Sequence, residues 1–115
     1  MQFEDSNVRQ RFADLVCEVF IFFKTSKQVG LKDQITRSAL STSSNIAEGY
    51  ERKTAKDYCR FLSYSKGSCG KLRSQVYIAL KIGEVDTKTA EVWIEESKQL
   101  SKMISALMKT IEAWD

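Results

Sequence analysis

Ser44-Asn45-Ile46-Ala47-Glu48-Gly49-Tyr50-Glu51-Arg52 joins two helical patterns, and how it is read decides the fold. Ahead of it runs a series of small residues: Ser38, Ala39, Ser41, Thr42 and Ser43. Within it, Gly49 is the expected helix terminator, because glycine takes the left-handed conformation without a Cβ clash. Beyond it, Arg52 and Lys53 form a basic turn. Thr54 then offers an N-cap hydroxyl, with Asp57 three residues later in a capping-box-like arrangement. One helix stopping and another starting across so short a connection implies an antiparallel pair.

Working outward, apolar or small residues recur at alternating steps of four and three, the helical period. They are Val8, Phe12, Leu15, Val19 and Phe22, then Leu31, Ile35, Ala39, Thr42 and Ile46. A third row holds Tyr58, Leu62, Ser65, Cys69, Leu72, Val76 and Ala79; a fourth holds Trp93, Ser97, Leu100, Ile104, Leu107, Ile111 and Trp114. Helices are predicted near residues 6–28, 32–48, 54–82 and from an Asp86 cap to the end of the chain, with Gly83 closing the third. One stripe per helix and short connections predict an all-α, antiparallel up-down-up-down four-helix bundle.

The quoted stretch also carries a resemblance. Together with Gly30-Leu31, Gln34-Ile35, Arg37-Ser38-Ala39, Phe61-Leu62, Gly67-Ser68, Leu72, Gln75 and Leu80-Lys81-Ile82-Gly83, it resembles a family of small four-helix bundles. Genes of that family lie in intervening sequences of bacterial 23S ribosomal RNA (the S23-like proteins). Accessory variability proteins of diversity-generating retroelements share the fold class. The resemblance covers the middle half of the chain. It implies a non-enzymatic homo-oligomer, a pentamer, that associates with nucleic acid; in the retroelement relatives the partner is a reverse transcriptase. Two departures stand out: this chain has no proline, and Cys69-Gly70 occupy a place where helix-favouring residues are more usual.

With 115 residues, 43% of them hydrophobic, the chain is one domain, residues 1–115. A chain of this size buries about two thirds of its unfolded surface. The apolar run Val19–Phe23 is far shorter than the ~20 residues that cross a bilayer. No cationic and apolar leader precedes it, so a cytoplasmic location is expected. Three cysteines without a Cys-x-x-Cys pair argue against a disulfide framework, and Cys17, Cys59 and Cys69 are each expected to be buried or half-buried.

Charge is distributed unevenly. Net charge is +3 overall, yet residues 31–83 carry ten basic and four acidic groups, while residues 84–115 carry four basic and seven acidic. A basic middle segment points to a polyanion or to a complementary face on a neighbouring subunit. Candidate nucleic-acid-binding residues are Arg37, Arg52, Lys53, Lys56 and Arg60, with Lys66, Lys71 and Arg73 secondary. Tyr50, Tyr58, Tyr64 and Tyr77 lie in the same region, as packing residues or base-stacking platforms.

Two further rows remain once the core is assigned. In the second helix Arg37, Ser41, Ser44, Asn45 and Glu48 oppose the apolar stripe. Glu48 sits near the helix C-terminus, where the dipole disfavours a carboxylate, so an arginine partner is expected. In the third helix Ser63, Gly67, Gly70 and Ser74 form a small-residue stripe, suited to close approach by a second backbone. Asn45, Glu48, Ser63, Gly67, Gly70 and Ser74 are therefore the candidate oligomer interface. Trp93 and Trp114 are expected as core plugs or subunit anchors.

Nothing in the sequence assembles a catalytic site. There is no histidine to shuttle protons or bind metal. Glycines form no phosphate loop. Glu91, Glu95 and Glu96 read as a solvated acidic face, and the serine run has no base partner. The expectation is a non-enzymatic, cofactor-free, RNA-binding oligomer, with a protein-interaction scaffold as the alternative.

Overall fold

A computed structural model describes residues 2–114, with side chains from Ser6 onward. Four helices follow one another: α1 (Gln2–Phe23), α2 (Val29–Tyr50), α3 (Ala55–Lys81) and α4 (Thr87–Glu112). The backbone of each lies close to those of two others, in the cyclic order α1, α2, α3, α4, around one shared core. Cross-helix contacts fix the directions. Ser41 meets Ser68 while Gly49 lies on Phe61 and Tyr58; Lys66 reaches Ser105 while Arg73 reaches Ser97. Arg11 reaches Glu96 and Glu18 reaches Trp93. Every neighbouring pair is antiparallel, giving a rod of 48 × 21 × 19 Å.

The predicted stripes form the core, with two corrections. Phe23, 1% exposed, closes the α1 row, whereas Phe22 is 39% exposed and lies edge-on to Trp93 at 5.3 Å. Trp114 is 52% exposed, beside Tyr58 rather than inside the core. The large buried side chains contribute on the order of 1.5–3 kcal/mol each. No helix among the described residues is long and apolar enough to cross a membrane.

Helix limits differ from expectation mainly around the first turn. α1 ends at Phe23, not residue 28, because the Ser26 amide bonds the Phe23 carbonyl at 3.0 Å and turns the chain early. α2 accordingly starts at Val29. At its other end α2 continues through Gly49 to Tyr50, and Gly49 is not left-handed. Its glycine has another cause: a Cβ there would stand 3.0 Å from Phe61 Cβ and Tyr58 Cδ1, and 3.2 Å from the Tyr58 carbonyl oxygen. Gly49 is small so that α2 and α3 can touch. The left-handed stop is Gly83 (φ +77°), where Glu84 N–H bonds the Ala79 carbonyl at 2.9 Å and Gly83 N–H bonds that of Leu80 at 3.1 Å. Both predicted caps form: Thr54 accepts from the Asp57 amide at 3.1 Å and Asp86 from the Thr89 amide at 3.0 Å.

Of the three cysteines, Cys59 and Cys69 are buried and Cys17 is exposed, contrary to expectation. Cys17 falls on α1 outside the Val8–Phe23 row. Burial pushes the Cys69 thiol up, and its Sγ donates to the Ser97 carbonyl at 3.2 Å.

Candidate nucleic-acid interface

The turn between α2 and α3 gathers cations around one aromatic ring. Phe61, on the first turns of α3, has the Arg52 guanidinium 4.5 Å from its centroid and that of Arg60 at 5.0 Å. Arg52 also pairs with Glu48 one turn earlier, supplying within the chain the cation that the α2 C-terminus requires. Arg60 pairs with Asp57 at 3.4 Å. These exposed pairs contribute little stability, of order 0–1 kcal/mol each. Their effect is to hold two guanidinium planes in place at the rod end.

Lys53 and Lys56 flank this stack, exposed and without an ion-pair partner among the described residues. Arg37 lies farther along α2 and pairs with Asp33 at 3.3 Å. Lys71 is exposed on the other half of α3, likewise without an ion-pair partner among the described residues. The remaining two sequence-predicted cations turn toward α4. Lys66 Nζ donates to Ser105 Oγ at 2.5 Å. Arg73 donates to Ser97 Oγ at 2.8 Å and to the Ser97 carbonyl at 3.3 Å. The structure thus brings together Arg52, Lys53, Lys56 and Arg60, and separates Lys66, Lys71 and Arg73 from them.

Two residues at this end were not singled out as site residues from sequence. Arg9 on α1 lies over the Tyr50 ring at 4.8 Å, adding a cation from a third helix. Phe61 is the platform, a role that its place beside the apolar row concealed. Of the four tyrosines, Tyr58 is buried and Tyr50 half-buried, whereas Tyr64 and Tyr77 are exposed on α3.

The interface candidates divide as well. Asn45 turns back on its own helix, donating to the Ser41 carbonyl at 2.9 Å and Ser41 Oγ at 3.0 Å. Ser63, Gly67, Gly70 and Ser74 lie on the outer side of α3, exposed or half-exposed. A Cβ at Gly67 or Gly70 would meet nothing within 4 Å, so no part of the described chain explains these glycines.

Across the rod, α1 and α4 enclose a groove of about 580 Å³. Asp14, Glu18, Glu91, Glu95 and Glu96 line it against only Arg11 and Lys88. Arg11 is held by both oxygens of Glu96, at 3.1 and 2.5 Å, and hydrogen bonding to that carboxylate raises its pKa further. Among the described residues no group of three or more His, Cys, Asp or Glu side chains is placed to hold a metal.

Comparisons with known proteins bear on the family and the fold. The family model described as 23S rRNA-intervening sequence protein matches residues 4–106. A solved structure, described as a protein with unknown function from the S23 ribosomal protein family of Bacteroides thetaiotaomicron VPI-5482, superposes with a TM-score of 0.84. It is 14% identical and the match covers 92% of this chain and 98% of that one, which shows a shared fold. The comparison with curated proteins found no match.

Proposed function

We propose that this chain, which belongs to the 23S rRNA-intervening sequence protein family, is a non-enzymatic protein that binds structured RNA as an assembly of identical copies. The observation that carries the reading is the cation cluster at the α2–α3 turn. There Lys53 and Lys56 stand without ion-pair partners among the described residues, beside the Arg52–Phe61–Arg60 stack. Residues 31–83 supply the net +6 behind it. Lysines and arginines in this arrangement engage phosphates, releasing counterions, with little reading of bases. One such cluster is small. Repeated by each copy of an assembly, it becomes multivalent, and the second and later contacts are intramolecular. The copy number of five rests on the family resemblance.

A triple variant, Lys53→Gln with Lys56→Gln and Arg60→Gln, tests the site. These side chains are exposed, so the helices remain intact. Fluorescence anisotropy with a structured RNA at low salt is expected to show at least a tenfold loss of affinity. Binding equal to that of the unaltered chain would remove the site. A protein-interaction scaffold is the second reading, favoured by exposed Phe20, Ile21, Val29 and Ile82 at the opposite end of the rod.

A further inference from the structure

RNA binding at the α2–α3 turn leaves two surfaces unexplained, and they complement each other. One is the α1/α4 groove. Glu91 and Glu95 on its α4 edge are exposed and without ion-pair partners among the described residues, and Asp14 and Glu18 face them from α1. Between the carboxylates, with Lys88 at one end, the floor is Val92, 55% exposed, over the buried Leu15 and Trp93. The other surface is the outer face of the second half of α3. Here Lys71 and Lys81 bracket Ser74 and Ile78, with Gly70 just before Lys71, all within about 100° of helix circumference. Ile78 is 51% exposed, and the space beyond Gly70 is open. An acid–apolar–acid groove thus has a cation–apolar–cation ridge to match it, on a different side of the same molecule.

Their heights agree too. Cys69 and Arg73 both reach Ser97, so α3 and α4 are level there. Antiparallel helices rise equally per residue, which places residues 71–81 of α3 opposite roughly 97–87 of α4. That span contains the groove. Rods related by rotation about an axis parallel to their length meet at equal heights, so one copy presents its ridge to the groove of the next without sliding. Contacts between two different surfaces are heterologous, and they close into a ring when the rotation divides a full turn.

We propose that α3 of one copy seats in the α1/α4 groove of a second copy. Lys71 and Lys81 meet the carboxylate rim, Gly70 admits close approach of the backbones, and Ile78 covers Val92. This rests on the assembly proposed above and names its contact surface. It leaves Lys53 and Lys56, near the other end of α3, available to RNA.

Paired charge reversals test it. One variant carries Lys71→Glu and Lys81→Glu, the other Glu91→Lys and Glu95→Lys; sedimentation velocity reads the mass and circular dichroism the helicity. Each variant alone is expected to sediment as a monomer, because its own ridge and groove now repel. An equimolar mixture is expected to reassociate into pairs and even-numbered assemblies, since reversed ridge then meets reversed groove and native meets native only where the two variants alternate. Val92→Lys, which blocks the groove floor from an exposed position, is expected to give monomers as well and serves if a reversal lowers helicity. Variants that stay assembled, or a mixture that stays monomeric, overturn this interface while leaving RNA binding to be judged separately. An unaltered chain that sediments as a monomer overturns the assembly itself.

Discussion

The α2/α3 and α1/α4 seams are built from opposite materials. Along α2/α3 the contacts are small and polar: Gly49 against Phe61 and Tyr58, Ser41 Oγ to Ser68 Oγ at 2.9 Å, and Ser65 Oγ to the Thr42 carbonyl at 2.8 Å. Along α1/α4 they are large: Phe22 and Phe23 against Trp93, with Arg11 spanning to Glu96. Small residues draw two backbones together and leave a closed ridge on which cations stand outward. Bulky residues hold two backbones apart and leave a groove whose rim is carboxylate. Side-chain size in the seams therefore determines which face of the rod is a ridge and which a groove, and charge follows the same division.

The largest effect is expected on the bulky side. Trp93→Ala should cost about 3–5 kcal/mol in a urea melt, as a large buried side chain leaves a cavity between α1 and α4. A loss below about 1 kcal/mol would mean that the seam is not held open by that ring. On the close side the sign reverses, and adding an atom does the damage. Gly49→Ala should cost about 1–3 kcal/mol, because two of the three atoms met by the new Cβ are a backbone oxygen and the Cβ of Phe61. Gly67→Ala, with nothing near its Cβ, should instead stabilise the single chain by up to about 1 kcal/mol through helix propensity. If the two glycines respond alike, the contrast between them is lost.

Ser65→Ala should cost about 1 kcal/mol by thermal melting, since the buried Thr42 carbonyl loses its hydroxyl donor. A neutral result would show that shape alone holds the close seam. The smallest effect concerns the start of α4, which carries the groove. Hydrogen bonds from Thr89 lower the Asp86 pKa. A carboxylate whose folded pKa is depressed stabilises above its unfolded pKa, and that contribution is lost as pH falls through the folded value. Asp86→Asn should therefore flatten the acid limb of the stability profile and leave the neutral-pH fold unchanged; an unaltered limb would exclude the cap as its source.

Most of the architecture was legible in the sequence because period and capping are local. The α3 row from Tyr58 to Ala79 is buried throughout, and Thr54 and Asp86 cap as their spacing indicated. What could not be read depended on contacts across helices. Gly49 has the composition of a helix stop, and only the nearness of Phe61 shows it to be a contact glycine. Phe22 and Phe23 are equivalent by composition, and the early turn after Phe23 chooses between them. Similarly, Lys66 and Arg73 ranked only as secondary cations, and nothing local showed that Ser105 and Ser97 on α4 would claim them.

The salt dependence of RNA binding tests the account most directly. At this end a lone chain offers Arg9, Arg52, Lys53, Lys56 and Arg60, and five neutralised phosphates give a slope of log affinity against log salt of about −3.5 to −4.5. Cations pooled across an assembly should give a slope steeper than about −5. Binding with a slope at or shallower than the lone-chain value, or no binding at low salt, would contradict it.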